Sequence, residues 1–304
     1  MKDKFALVIK SKLILLFLMV PFLVEAREMT DVAGRTVHVP QEPKRVVSLA
    51  PSITELVYAL DMGGILKGAV QFSDYPAQAK KLPRVGSYAH PDMERIVRLE
   101  SDLVLAIRDG NPKQVIDRLE DMGIPVFTLD SNNLEEIMQS IAALGRVLDN
   151  PERAEDLVQE MRKRLHLVKN RTQKADTRPR VFFQADASPI IGAGGETFID
   201  ELIRLAGGGN AISDKKRYPR LGWEDILRLN PDVAVIASMA GGKDADSLMR
   251  DWHKWPQLRA VQEDRVHVVD ADLFERPTPR LLDGLEILAR LIHPDLFAGE
   301  RKDQ

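Results

Sequence analysis

Nucleophiles, bases and metal-ligating side chains occur in this chain, but their spacing does not match the motifs that build catalytic centres. The 304 residues include no cysteine, no Gly-x-Ser-x-Gly nucleophile elbow and no phosphate-binding Walker loop. No two of the six histidines are four residues apart, so the sequence indicates no zinc site on a helix. We therefore predict a protein that is not an enzyme and holds neither a metal nor a cofactor. An exported hydrolase remains the alternative among the enzyme classes.

Aromatic, amide and charged side chains are concentrated in segments that follow predicted strands. In an open α/β sheet, the loops at the carboxyl ends of the strands line the ligand crevice. The segments are 71–76, Tyr88 and 108–111 in the first half of the chain, and 186–195 and 272–276 in the second. Aromatic rings beside polar groups suit a large, flat ligand with a polar rim.

Short apolar runs alternate with stretches of helical periodicity along most of the chain. Such alternation is typical of parallel sheets that are covered by helices. The runs form two series, which predicts two Rossmann-like α/β lobes. They are 45–50, 102–107 and 125–129, followed by 180–184, 232–237 and 266–269.

The two halves of the chain also resemble each other. Segment 93–105 aligns with 223–235 without a gap, and each is predicted to be a short helix that leads into a buried strand. The tetrapeptides 52–55 and 197–200 both match the capping box that opens a helix. The matched positions indicate two pseudo-symmetric lobes. They pair Glu94 with Glu224, Ile96 with Ile226, Arg98 with Arg228, Leu99 with Leu229 and Asp102 with Asp232.

One long helix is predicted between the halves. Asn150 can cap it, Pro151 suits its first position, and an apolar stripe continues to about Asn170. We therefore divide the chain into an N-terminal lobe (27–149), a connecting helix (150–175) and a C-terminal lobe (176–304). A single helical connector predicts stiff lobes with modest closure.

The first 26 residues have the pattern of a secretory signal peptide. Four lysines precede a short apolar core, and the end carries small residues as at a cleavage site. Without cysteine, the N-terminus cannot carry a lipid anchor, so we expect a soluble periplasmic protein. The formal net charge of -3 argues against nucleic-acid binding.

Four motifs resemble one known family, over about Arg45 to Ala298. They are Ser-Asp-Tyr-Pro at 73–76, Met-Glu-Arg-Ile at 93–96, Arg-x-Gly-Asn at 108–111 and Phe-Glu-Arg-x-x-Pro-Arg at 274–280. The chain resembles the siderophore-, haem- and cobalamin-binding subunits of ABC importers, and within them the cobalamin-binding branch. The resemblance implies a class III periplasmic binding protein, a monomer when free, that carries cobalamin in its cleft to a permease with its ATPase.

The resemblance also implies roles for particular residues. Glu94 and Glu224 match one acidic residue per lobe that docks onto permease arginines. Haem or ferric-siderophore binding on the same scaffold is the alternative, with Tyr88 or His90 as the iron ligand. The positions that match ligand contacts are Phe72, Tyr88, Asp272, Leu273, Phe274, Glu275 and Arg276.

Overall fold

Each half of the chain folds around its own sheet in a computed structural model of the protein. The structure describes residues 26–108, 110–130, 132–238 and 245–298. All but the last residue of the predicted signal peptide lie outside the described residues. Among the described residues, no helix has the length and apolar character needed to cross a membrane.

The N-terminal lobe is built on a four-stranded parallel sheet with strand order β4-β3-β5-β6. Every residue of β3, β5 and β6 is buried, as expected for a parallel sheet with helices on both faces. A separate antiparallel hairpin, β1–β2, packs Val37 and Val39 onto the core. The elements are β1 Ala26–Thr30, β2 Thr36–Pro40, β3 Val46–Ser48, α1 Pro51–Ala59, β4 Leu66–Ala69, α2 Met93–Arg98, β5 Leu103–Ile107, α3 Lys113–Asp121, β6 Val126–Leu129 and α4 Leu134–Val147.

The C-terminal lobe contains a mixed sheet with order β10-β8-β7-β11-β12, and β9 also pairs with β7. Strands β9, β7, β11 and β12 are parallel, whereas β8 and β10 are antiparallel to their neighbours. The elements are β7 Arg180–Ala187, β8 Ile190–Gly192, α6 Phe198–Leu205, β9 Gly209–Asn210, β10 Arg220–Leu221, α7 Trp223–Leu229, β11 Val233–Ser238, α8 Ala245–His253, α9 Arg259–Gln262, β12 Val266–Asp270, α10 Asp272–Glu275 and α11 Leu281–Ile292.

The predicted repeat is confirmed by equivalent hydrogen bonds in the two lobes. The Asp102 carboxylate accepts from the backbone N–H of Arg45 at 2.9 Å, just before β3. The Asp232 carboxylate accepts from the backbone N–H of Arg180 at 2.7 Å, at the start of β7. In both lobes an aspartate that follows a short helix thus fixes the neighbouring strand.

A single helix, α5 (Pro151–Thr172), connects the lobes as predicted. At 22 residues it is about 33 Å long. Its buried side packs on α4 of the first lobe and α11 of the second. Ion pairs extend these contacts, because Arg162 binds Glu135 on α4 and Arg164 binds Asp283 on α11. One hydrophobic cluster runs through both lobes beneath this helix, which joins them into one body.

All six strands predicted from the apolar runs are present, as β3, β5, β6, β7, β11 and β12. Half of the capping box predicted at 197–200 is present, since the Thr197 hydroxyl accepts from the backbone N–H of Asp200. The Asp200 carboxylate does not bond back to Thr197 and instead accepts from Arg204 and Asn210. The capping box predicted at 52–55 is absent. Helix α1 begins at Pro51 without a side-chain cap, and Asn150 uses its amide to bind the Leu60 carbonyl instead of capping α5.

Candidate functional site

A cleft lies between the two lobes, and most of its wall is formed by loops and helix starts beyond the carboxyl ends of the strands. The cavity volume is about 540 Å³. Five of the seven predicted ligand contacts line it. The lining residues are Ala50, Pro51, Ser52, Gln71, Phe72, Tyr88, Ile107 and Asn132 from the N-terminal lobe, and Glu196, Thr197, Phe198, Arg217, Tyr218, Asp272, Glu275, Arg276 and Pro277 from the C-terminal lobe.

Phe72 offers an exposed ring to the cleft, with 67% of its surface accessible. Its backbone has a φ of 64°, a left-handed conformation that is costly for a bulky residue. The neighbouring Ser73 anchors this loop, because its buried hydroxyl accepts from Thr54 at 3.1 Å and its carbonyl accepts from Arg84 at 2.9 Å. A strained, anchored and solvent-exposed aromatic residue is the arrangement expected of a ligand contact.

Tyr88 stands on the same lobe and is held by the Arg-x-Gly-Asn motif. Its ring lies over Gly110, where an added Cβ would come within 1.4 Å of the Tyr88 hydroxyl oxygen. The buried Asn111 amide donates to the carbonyls of Tyr88 at 3.1 Å and Leu49 at 2.9 Å, and its oxygen accepts from the Ile107 N–H. The motif therefore positions Tyr88, and its described residues, Arg108, Gly110 and Asn111, do not line the cleft themselves.

The opposite wall is the one-turn helix α10 with Arg276 directly after it. The Arg276 guanidinium lies within 2.7 Å of Glu55, 3.0 Å of Asp74 and 2.8 Å of Asp272. Glu55 and Asp74 belong to the N-terminal lobe, so this arginine joins the two lobes at the base of the cleft. A second link lies at Glu201 of α6, whose carboxylate accepts from the first N–H of α4 at Leu134.

Glu55 is the functional residue that sequence reasoning missed. Its carboxylate is 2% exposed and is approached by Arg280 at 3.4 Å as well as by Arg276. A charged side chain inside the apolar start of α1 was the available signal, because such residues are almost never buried unless paired. The local pattern 52–55 instead predicts a capping box that includes Glu55.

Phe274 and Leu273 do not line the cleft, contrary to the sequence-based expectation. Phe274 is fully buried and packs against Phe183, with ring centroids 5.3 Å apart. Leu273 packs against the same core. Because α10 is helical, the segment turns these two side chains inward and leaves Asp272, Glu275 and Arg276 on the cleft side.

Burial and charge shift the ionisation of several groups in the cleft. Burial, reinforced by Asp186 and Asp272, raises the pKa of Glu275 to about 7. Burial, with a contribution from Glu275, raises the pKa of Tyr218 to about 12, so the phenol stays neutral. Burial also raises the pKa of Glu55 and of Asp272, although the adjacent arginines oppose it.

The segment 186–195 was expected to line the cleft, but its glycines serve internal packing. A Cβ on Gly194 would lie 2.2 Å from the Lys215 carbonyl oxygen, and one on Gly195 would lie 2.5 Å from that of Ser213. Two parts of the backbone thus approach each other here, and the cleft wall begins at Glu196.

Of the two residues predicted as possible iron ligands, one lies in the cleft. Tyr88 lines the cavity, whereas His90 is exposed and is not among the lining residues. Within the described ranges, no group of three or more potential metal ligands occurs together.

Glu94 and Glu224 occupy equivalent places outside the cleft. Each is exposed in the first turn of its helix, Glu94 in α2 and Glu224 in α7. Glu94 pairs with Arg98 one turn later. Acidic residues are favoured at helix starts, so their position alone does not require a partner.

Comparison with known proteins decides the family. The model of the family described as "Periplasmic binding protein" matches residues 46–273. The chain belongs to this family. Its two lobes and single connecting helix are those of the class III members.

Individual relatives agree with this assignment. The chain is 35% identical over 250 residues to the vitamin B12-binding protein of Vibrio cholerae, covering 81% of this chain and 88% of that one. The crystal structure of the periplasmic vitamin B12-binding protein BtuF of Vibrio cholerae has a TM-score of 0.74 and 31% identity, and the match covers 84% of this chain and 98% of BtuF. A periplasmic heme-binding protein from Pseudomonas aeruginosa matches with a TM-score of 0.76 and 29% identity, covering 83% and 94%.

Proposed function

We propose that this protein binds cobalamin in the periplasm and delivers it to an ABC importer of the inner membrane. The observation that carries this proposal is the cleft with two exposed aromatic rings on one lobe and polar groups on the other. A corrin has flat apolar faces and a rim of amide side chains, which such a cleft complements. The resemblance to the Vibrio cholerae protein supports the same ligand.

In this proposal, Phe72 and Tyr88 contact the apolar surface of the corrin. Asp272 and Glu275 face its amide rim, and Arg276 holds the polar wall in place by its ion pairs. No bond is made or broken, so the protein is not an enzyme and cobalamin is its cargo, not a cofactor. The continuous core beneath α5 and the contacts at Arg276 favour a cleft that is largely formed before the ligand arrives.

Export and domain organisation complete the proposal. Residues 1–26 are the secretory signal, 27–149 the N-terminal lobe, 150–175 the connecting helix and 176–304 the C-terminal lobe. The mature protein is a soluble monomer in the periplasm.

Glu94 and Glu224 are proposed to dock onto arginines of the permease. A two-lobed protein that meets a two-subunit transporter needs one anchor on each lobe, and carboxylate–arginine pairs supply orientation and association rate. We expect Glu94→Ala with Glu224→Ala to reduce permease binding at least tenfold, as measured with the reconstituted transporter.

The matched control removes two exposed carboxylates from the connecting helix, Glu152→Ala with Glu160→Ala. This control removes the same number of negative charges as the first double variant and should leave docking unchanged. Normal docking by the first double variant would contradict this assignment.

The ligand is tested by titration of the purified protein with cyanocobalamin and, separately, with haemin. Isothermal calorimetry and the visible spectrum should report micromolar or tighter binding of cyanocobalamin. Tight haemin binding with no response to cyanocobalamin would overturn the proposal.

Haem or ferric-siderophore binding is the second candidate, favoured by the phenol of Tyr88 inside the cleft and by the heme-binding relative. If haem is the ligand, Tyr88→Phe should remove the tyrosinate–iron absorption band. An unchanged haem spectrum in that variant would exclude Tyr88 as the residue that coordinates the iron.

A further inference from the structure

Arg276 is the cationic group at the base of the cleft, but its charge is already balanced. Three carboxylates lie within 3.0 Å of its guanidinium, those of Glu55, Asp74 and Asp272. The side chain is 11% exposed, so these contacts are poorly screened by water. A carboxylate on a ligand would therefore meet no unbalanced positive charge here.

Glu275 stands beside this cluster and faces the cavity. Among the described residues, its carboxyl group has no hydrogen-bond or ion-pair partner. Arg217, the other arginine that lines the cleft, is exposed, so solvent weakens its electrostatic influence, and Arg276 is the arginine that lowers the pKa of Glu275. The base of the cleft thus presents an acidic group that no described residue pairs with, next to a balanced ion cluster.

We propose that the cleft selects ligands whose peripheral groups are uncharged amides, and that Glu275 is the residue that rejects peripheral carboxylates. This inference rests on the proposed function and deepens it. An amide N–H₂ can donate to the Glu275 carboxylate. A ligand carboxylate cannot donate, and its charge repels that of Glu275 in a partly buried site where the interaction is strong.

The neighbours of Glu275 make this selection dependent on pH. The groups that face it are Asp186 at the end of β7, Tyr218 before β10, and Asp272 and Arg276 on its own segment. Burial and the two aspartates raise the pKa of Glu275 to about 7, with Arg276 opposing them. Below pH 7 the protonated group can donate to a ligand carboxylate, whereas above pH 7 the ionised group repels it. Rejection should therefore strengthen as the pH rises through 7.

The test compares cyanocobalamin with its b-, d- and e-monocarboxylic acids, in each of which one propionamide is replaced by a propionate. At pH 8 we expect the most affected derivative to bind about tenfold or more weakly than the parent. At pH 6 the difference should fall below about threefold, since the ligand carboxylates stay ionised in this range and Glu275 does not.

Glu275→Gln keeps the shape of the side chain and removes its charge. In this variant the affinity for the most affected monocarboxylic acid should be within about threefold of that for cyanocobalamin at both pH values. The matched control is Glu42→Gln, an exposed carboxylate outside the cleft, which should keep the wild-type ratio.

The possible results separate the two proposals. If cyanocobalamin binds and all three derivatives bind within threefold of it at pH 8, the selection by charge is wrong and the proposed function stands. The proposed selection is also wrong if the ratio of the affinities for cyanocobalamin and the most affected derivative does not change between pH 6 and 8 in the wild-type protein. It is equally wrong if Glu275→Gln keeps the wild-type ratio. If cyanocobalamin itself does not bind, the proposed function fails and this inference fails with it.

Discussion

The two walls of the cleft are built in different ways. The N-terminal wall presents the rings of Phe72 and Tyr88 on loops, held from behind by side-chain hydrogen bonds of buried Ser73 and Asn111. The C-terminal wall presents charged groups on the helical turn of α10, held by ion pairs at Arg276. The N-terminal wall offers flat apolar surface to a ligand, and the C-terminal wall offers polar groups that can distinguish between ligands.

The walls also differ in what they do for the fold. The aromatic side chains of the first wall are exposed and contribute little to the core. The second wall reaches across the cleft, because Arg276 binds Glu55 and Asp74 of the other lobe. Substitutions on the first wall should therefore affect ligand binding, whereas substitutions at Arg276 should affect stability.

Arg276→Met should show the largest effect. Removing one partner from a buried pair leaves the Glu55 carboxylate without its closest cation, which costs about 3 kcal/mol of the free energy of unfolding. Urea denaturation monitored by circular dichroism measures it. Arg162→Met is the matched control, since it breaks an exposed pair with Glu135 and should cost less than about 1 kcal/mol. Equal effects of the two substitutions would contradict the role of Arg276.

The ion cluster around Arg276 could not be predicted from the sequence. Apolar runs and the repeat predicted six strands, the two lobes and the connecting helix, because these depend on patterns a few residues long. Glu55 and Arg276 are 221 residues apart, and no local pattern links them. The short strands β4, β8, β9 and β10 are not predicted, for a similar reason. With two to four residues each, they are defined by their neighbours in the sheet.

The candidate site was predictable to a similar extent. Resemblance located the segment 272–276, and the structure shows which of its residues face the cleft. The helical turn of α10 buries Phe274, a choice that depends on tertiary packing against Phe183. The sequence predicts Phe72 and Tyr88 in loops, where side chains are often exposed. The contacts of Tyr88 with Gly110 and Asn111 link residues that are more than 20 positions apart, so no local pattern predicts them.

On the aromatic wall, Tyr88→Ala and Phe72→Ala should each weaken cyanocobalamin binding about 30-fold. Each removes about 2 kcal/mol of apolar burial against the ligand. Because both rings are exposed in the free protein, the free energy of unfolding should change by less than about 1 kcal/mol. Met122→Ala, which removes an exposed apolar side chain outside the cleft, is the control for calorimetric titration. Full affinity in both aromatic variants would place the ligand elsewhere.

Gly110→Ala tests the support behind Tyr88 without touching the ligand. The new methyl group would occupy the position of the Tyr88 hydroxyl, and the tyrosine must swing away. We expect binding to weaken about tenfold, less than on loss of the ring, because the displaced ring can still make partial contact. Gly64→Ala is the matched control, since a Cβ there meets no atom within 4 Å. Combining Gly110→Ala with Tyr88→Ala should add nothing to the loss from Tyr88→Ala alone, as expected for two residues that act through one ring.

Phe72→Gly should produce the smallest effect on stability, and one opposite in sign to that of Arg276→Met. The φ of 64° costs a side-chain-bearing residue about 1–2 kcal/mol, and glycine avoids this cost while losing about 0.5–1 kcal/mol to its greater freedom when unfolded. The variant should therefore be more stable by up to about 1 kcal/mol in urea denaturation, yet bind cyanocobalamin as weakly as Phe72→Ala. A gain in stability together with a loss of affinity would mean that the backbone of the aromatic wall is strained to present its ring to the ligand. A loss of stability would mean that the ring supports the fold, and the distinction between the two walls would then fail.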